Sequence, residues 1–110
     1  MKQYVIDELR PADAVKLKDY LDTYLQRAGV DGIYWLGLAN ELLNPIQADH
    51  AECGPFYLAV ELTDQRLACE LLVRAVNRIR CNCIGYATET QRNWLIQTID
   101  AIFEMLKIIT

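Results

Sequence analysis

The sequence predicts an α+β domain: an antiparallel sheet of four or five strands, running as a meander, with helices packed on one face. Three observations carry this expectation. Apolar residues recur at helical spacing in two segments, one early and one at the end, and alternate at the strand period between them. Cap and turn residues divide the chain at short intervals. The 110 residues, 53% hydrophobic and 24% charged, are enough to build one core without disulfides or metal as staples. No repeat, low-complexity tract or linker interrupts the chain, so 1–110 reads as a single domain.

The elements follow in order. Residues 2–9 read as a short strand. Arg10-Pro11-Ala12-Asp13 starts a helix, with Pro at its first position and an acid near its positive end. Ala14, Leu17, Leu21, Tyr24, Leu25 and Ala28 then recur at helical spacing until Gly29, giving a helix over about 11–28. Asp31-Gly32 is a turn, and Ile33 to Leu38 is rich in strand formers. Asn44-Pro45 opens a short helix that Cys53-Gly54-Pro55 closes. Phe56 to Leu62 alternates as a strand.

Residues 66–76, Arg-Leu-Ala-Cys-Glu-Leu-Leu-Val-Arg-Ala-Val, fit two readings. As a helix they would give a ferredoxin-like βαββαβ order plus a C-terminal helix, and raw propensity favours it. Register favours a strand. With a two-residue turn at Asp64-Gln65, Leu62 faces Leu67, Val60 faces Cys69, Leu58 faces Leu71 and Phe56 faces Val73. Beyond a loop centred on Asn77, Val73 then faces Cys81 and Leu71 faces Cys83. One apolar face runs across three strands, so the meander is preferred. Thr88-Glu89-Thr90-Gln91 is a capping box. It starts a final helix, about 89–108, whose stripe of Leu95, Ile96, Ile99, Ile102, Phe103 and Leu106 should lie on the sheet.

No apolar run reaches the ~18 residues needed to span a bilayer, and acid follows the N-terminus too soon for a secretion signal. The expectation is a soluble cytoplasmic protein with four free thiols. A net charge of −4 argues against nucleic-acid or membrane partners. The charge is segregated. No Lys or Arg lies between Arg27 and Arg66, whereas Arg66, Arg74, Arg78, Arg80 and Arg92 follow with only Glu70 and Glu89 among them.

No phosphate-binding glycine loop is present. His50 is the only histidine, so any Cys–His or Ser–His mechanism must use it. Cys53, one turn away, ends its helix at the negative pole, which opposes a thiolate. No catalytic constellation follows, and no cofactor is implied. In the strand reading, Cys81 and Cys83 share a face about 6.6 Å apart. They are expected as buried packing groups with Cys69. His50-x-x-Cys53 with Cys81-x-Cys83 is a conceivable four-ligand metal set, although the spacing matches no common zinc motif.

The opposite face would carry Arg74, Arg80, Asn82, Tyr57 and Tyr86, with Glu70, Leu72 and Ile84. Arginine forks and tyrosine rings suit recognition. The functional expectation is a non-enzymatic protein-interaction module, a homodimer through this face. The alternative is a thiol-dependent metal or redox protein using Cys and His. A third reading is a small binder of anionic ligands.

Overall fold

In the computed structural model, which describes residues 1–109, the order is β1 Gln3–Ile6, α1 Pro11–Tyr24, β2 Gln26–Arg27, β3 Ile33–Gly37, α2 Pro45–Ala48, β4 Phe56–Leu62, β5 Leu67–Ala75, β6 Gly85–Tyr86 and α3 Glu89–Met105, with 3₁₀ turns at Asn40–Leu42 and Ala51–Cys53. The fold is α+β, as the sequence predicts. One antiparallel sheet has the order β1-β5-β4-β3-β2, and β6 also pairs with β5. Its six strands exceed the four or five expected because β2 and β6 are two-residue additions.

The ambiguous segment is β5, so the meander holds and the ferredoxin-like order does not. The hairpin closes where expected: the Thr63 N–H donates to the Arg66 carbonyl at 2.9 Å, leaving Asp64-Gln65 at the tip. Burial outweighs helix propensity here, because Leu67, Cys69 and Val73 all seal the sheet's inner face.

Register holds near the turn and slips beyond it. Leu62 pairs with Leu67 and Val60 with Cys69, but an irregularity between Leu58 and Val60 then shifts the ladder. Leu58 pairs with Val73 rather than Leu71, and Phe56 with Ala75 rather than Val73. A shift of two residues keeps the inner face inward, so the apolar pattern cannot reveal it.

The expected third strand through Cys81 and Cys83 is a correction. Residues 79–84 form bends and turns, and β6 begins at Gly85, opposite Val73. The chain turns back sharply at Val76-Asn77, with Ala75 bridging Arg78. Past its strand bounds, β5 continues against the segment before β4. The Val76 N–H donates to the Pro55 carbonyl at 2.9 Å, and the Asn77 N–H to the Cys53 carbonyl at 3.0 Å.

All three helices are shorter than expected, α3 ending at Met105. α1 ends at Tyr24 and Leu25 turns extended, so that Gln26 and Arg27 pair with Trp35 and Tyr34 and cover an otherwise open strand edge. Gly32, at φ 82°, makes this return possible: a Cβ there would sit 2.8 Å from the Leu62 carbonyl oxygen. The expected helix over 45–53 is one turn of α-helix and one 3₁₀ turn, broken between Ala48 and Ala51. The Thr88–Gln91 capping box is present, and α3 follows it.

α1 and α3 lie on the inner face. Leu17 and Leu21 from α1, and Leu95, Ile99 and Phe103 from α3, pack with Leu58, Val60, Leu67, Cys69 and Val73 in one cluster. The outer face has no helix. Gln3, Val5, Ile33, Trp35, Tyr57 and Glu61 point there, all half-buried or exposed. Trp35 and Tyr57 stack on it, ring centroids 4.4 Å apart.

Candidate metal centre

Three of the four thiols meet. The Sγ atoms of Cys53, Cys81 and Cys83 all lie within 4.8 Å of one another, the one such cluster of His, Cys, Asp or Glu among the described residues. The loop that replaces the expected third strand makes this possible. A strand would have carried Cys81 and Cys83 away along the sheet. The turn at Val76-Asn77 instead lays residues 76–77 against 53–55 and folds the following loop over Cys53.

Each cysteine backbone is anchored. The Cys53 N–H donates to the His50 carbonyl at 2.9 Å within the 3₁₀ turn, and its own carbonyl accepts from Asn77. Asn77 Nδ2 also donates to the Gly54 carbonyl at 2.7 Å. The Cys81 carbonyl accepts from the Ile84 N–H at 3.0 Å, closing a turn. The Cys83 carbonyl accepts from Gln47 Nε2 at 3.2 Å.

That last bond belongs to a buried network. Asn44 caps α2, and Gln47 returns its side chain to the Asn44 N–H at 3.1 Å. Thr88 and Gln91 repeat the device at α3. Gln91 Nε2 joins the two, donating to Gln47 Oε1 at 2.9 Å and to the Leu42 carbonyl at 2.9 Å. Both glutamines are 1% exposed. Among the described residues no buried side-chain polar atom lacks a partner. Two helix caps thus tie the Cys83 loop to both helices. The Thr88 box was readable in the sequence, but the Asn44–Gln47 box was read only as a helix start, and nothing local signals that the two glutamines meet.

The thiols differ in environment. Cys53 and Cys83 are buried and Cys81 is half-exposed. Burial raises the Cys53 thiol pKa and pushes Cys83 up to about 12. Cys81 is lowered, first because the Cys83 N–H donates to its sulfur. An N–H aimed at a sulfur stabilises thiolate, the form that binds metal. Cys69 stands apart in the core, pushed up to about 12 by burial alone, and matches the inert packing role expected of it.

His50 sits at the head of the 3₁₀ turn that ends in Cys53. Its Nδ1 lies 2.6 Å from the Ile46 carbonyl, so Nδ1 carries the proton and donates. That bond raises the His50 pKa first, and the Cys81 charge adds to it.

The arginine-side residues divide. Tyr57, Arg74 and Tyr86 share the outer face, Tyr57 opposite Arg74 and Tyr86 opposite Leu72. Arg80 and Asn82 do not: both lie exposed in the cysteine loop, where Asn82 Oδ1 accepts from the Cys81 thiol at 3.5 Å. Arg74 is engaged, its Nε and Nη2 donating to Glu70 Oε2 at 3.1 and 3.0 Å. An anionic ligand would have to displace Glu70.

No helix among the described residues is long and apolar enough to cross a membrane. No family model, curated protein or solved structure matches the chain.

Proposed function

We propose that this domain binds a thiophilic divalent ion, zinc foremost, through Cys53, Cys81 and Cys83. The convergence of three thiols from two distant segments carries the reading. Zn–S bonds of about 2.3 Å in a tetrahedron set sulfurs about 3.8 Å apart, so the cluster need contract only modestly. The anchored carbonyls add the orientation that metal sites draw from their surroundings. The ion would staple the 76–84 loop to the segment leading into β4, and its binding energy would add to folding. Elemental analysis of protein purified without chelator tests this. The expected result is one zinc per chain, lost in Cys53→Ser and Cys83→Ser. Metal-free wild type whose melting point ignores added zinc would overturn it.

A second reading concerns the helix-free sheet face, with a second copy of this chain as its occupant. The half-buried Trp35–Tyr57 stack on this helix-free face favours it. Arg74 lies at the Tyr57 end of the face and Glu61 at the Ile33 end. A two-fold axis near Ala59 would lay each on its counterpart. The patch is roughly 20 Å on a side, at the small end of dimer interfaces. Light scattering across concentration should show dimers that Arg74→Glu weakens. A strict monomer at about 1 mM, beyond the range of weak association, would sink the idea.

A further inference from the structure

The geometry points to His50 as the fourth ligand, through Nε2, closing a Cys₃His site with Cys53, Cys81 and Cys83. This inference rests on the metal reading and decides what kind of site it is. Three thiolates leave one position of a tetrahedron. Filled by water, that position makes a Lewis-acid centre; filled by protein, it makes a structural one.

Position favours His50. It heads the 3₁₀ turn whose last residue is Cys53, and the Cys53 N–H bonds its carbonyl at 2.9 Å. As the cap residue three before Cys53, it is held at the same turn as that thiol. Its half-buried ring lies outside the 4.8 Å cluster of the three thiols, so metal binding would have to draw it in toward them. Cys69, the remaining thiol, is committed to the core.

The tautomer also fits. Donation from Nδ1 to the Ile46 carbonyl at 2.6 Å leaves Nε2 with its lone pair free. Ligating histidines have this arrangement, one ring nitrogen on a backbone carbonyl and the other on the metal. Ile46 lies in α2, the helix that also carries Gln47. One short helix would thus steady the histidine through one carbonyl and Cys83 through one side chain.

A single histidine makes the test clean. Long-range proton–nitrogen spectra of ¹⁵N-labelled wild type, without zinc and with one equivalent, report the protonation and metallation of each ring nitrogen. The expected result is Nδ1 protonated in both forms and a shift of Nε2 to the metal-bound range on zinc addition. Cobalt titration of wild type and His50→Ala gives the second measurement. The variant should keep the thiolate-to-cobalt band but bind at least about 10–100-fold more weakly, the loss typical of even an outer-shell partner, with altered ligand-field bands. Zinc binding with three thiolates, an unmoved His50 spectrum and unchanged His50→Ala affinity would overturn this inference and leave the metal reading standing. A wild type with no thiolate-to-cobalt band would overturn both.

Discussion

Replacing Gln47 with leucine tests the joint between the fold and the cysteine loop. The side chains are similar in volume, so the change removes polar atoms while leaving the packing filled. Three hydrogen bonds disappear: Gln47 to the Cys83 carbonyl, Gln91 to Gln47, and the Asn44 N–H to Gln47. The Asn44 amide is half-buried and can take water. The Cys83 carbonyl and one Gln91 N–H are left buried, since Cys83 and Gln91 are each 1% exposed. Each stranded group costs about 1–3 kcal/mol. Burying a leucine where an amide was offsets about 1–2 kcal/mol. At mid-range values, about 2 kcal/mol for each of the two groups less about 1.5 for the leucine, the net loss is about 2.5 kcal/mol, which for a domain near 100 residues lowers Tm by about 10–20 °C. Urea unfolding of the metal-free protein, with chelator and reductant present, reads this directly. Gln97→Leu on the exposed side of α3 is the control and should fall within about 0.5 kcal/mol of wild type. Zinc affinity should fall in Gln47→Leu, because the Cys83 loop is no longer tied to α2. A loss under about 1 kcal/mol would refute the accounting, since it would mean the two glutamines carry no shared network.

Tyr34 and Tyr4 are both pushed up to about 12, first by burial and then by donating to Asp22 and Asp100. Their folded pKa values exceed the unfolded value of about 10, so they stabilise the fold fully below pH 10 and lose that contribution as pH rises from 10 to 12. Ultraviolet titration should show these two ionising last among the six tyrosines, and early ionisation of Tyr34 would contradict its burial. Gly32→Ala forces a side chain onto a positive φ and against the Leu62 carbonyl; calorimetry should show a loss of about 1–3 kcal/mol, and a neutral result would mean the turn relaxes freely. In metal-free protein, thiol titration with an aromatic disulfide should label half-exposed Cys81 first and leave Cys69 silent until unfolding. Equal rates at the two would refute the assigned environments.

How far the sequence could be read depended on the range of the physics. The Asp64-Gln65 turn fixed β4 against β5 because a two-residue loop leaves the flanking residues no other register. Leu62–Leu67 and Val60–Cys69 were therefore legible, and the segment 66–76 declared itself a strand despite its helix formers. Two residues further on, a bulge opposite Ala59 carried the ladder out of step. A shift by an even number of residues keeps the same face inward, so no hydrophobic pattern could have warned of it. The cysteines show the same limit more sharply. His50, Cys53, Cys81 and Cys83 could be named together from residue type alone, yet the strand expected through Cys81 and Cys83 would have held the set apart. That strand rested on the apolar alternation of 81 and 83 and on the Val73 and Leu71 partners assigned to them across the sheet. It was outweighed by Asn77, whose backbone and side chain bond the carbonyls of Cys53 and Gly54. An asparagine in a turn is an ordinary local signal; its partners lie two strands away, β4 and β5 intervening, beyond any window of sequence. The site is legible as a set of donors and illegible as a place, because the convergence of the thiols is made by backbone bonds between segments distant in the chain.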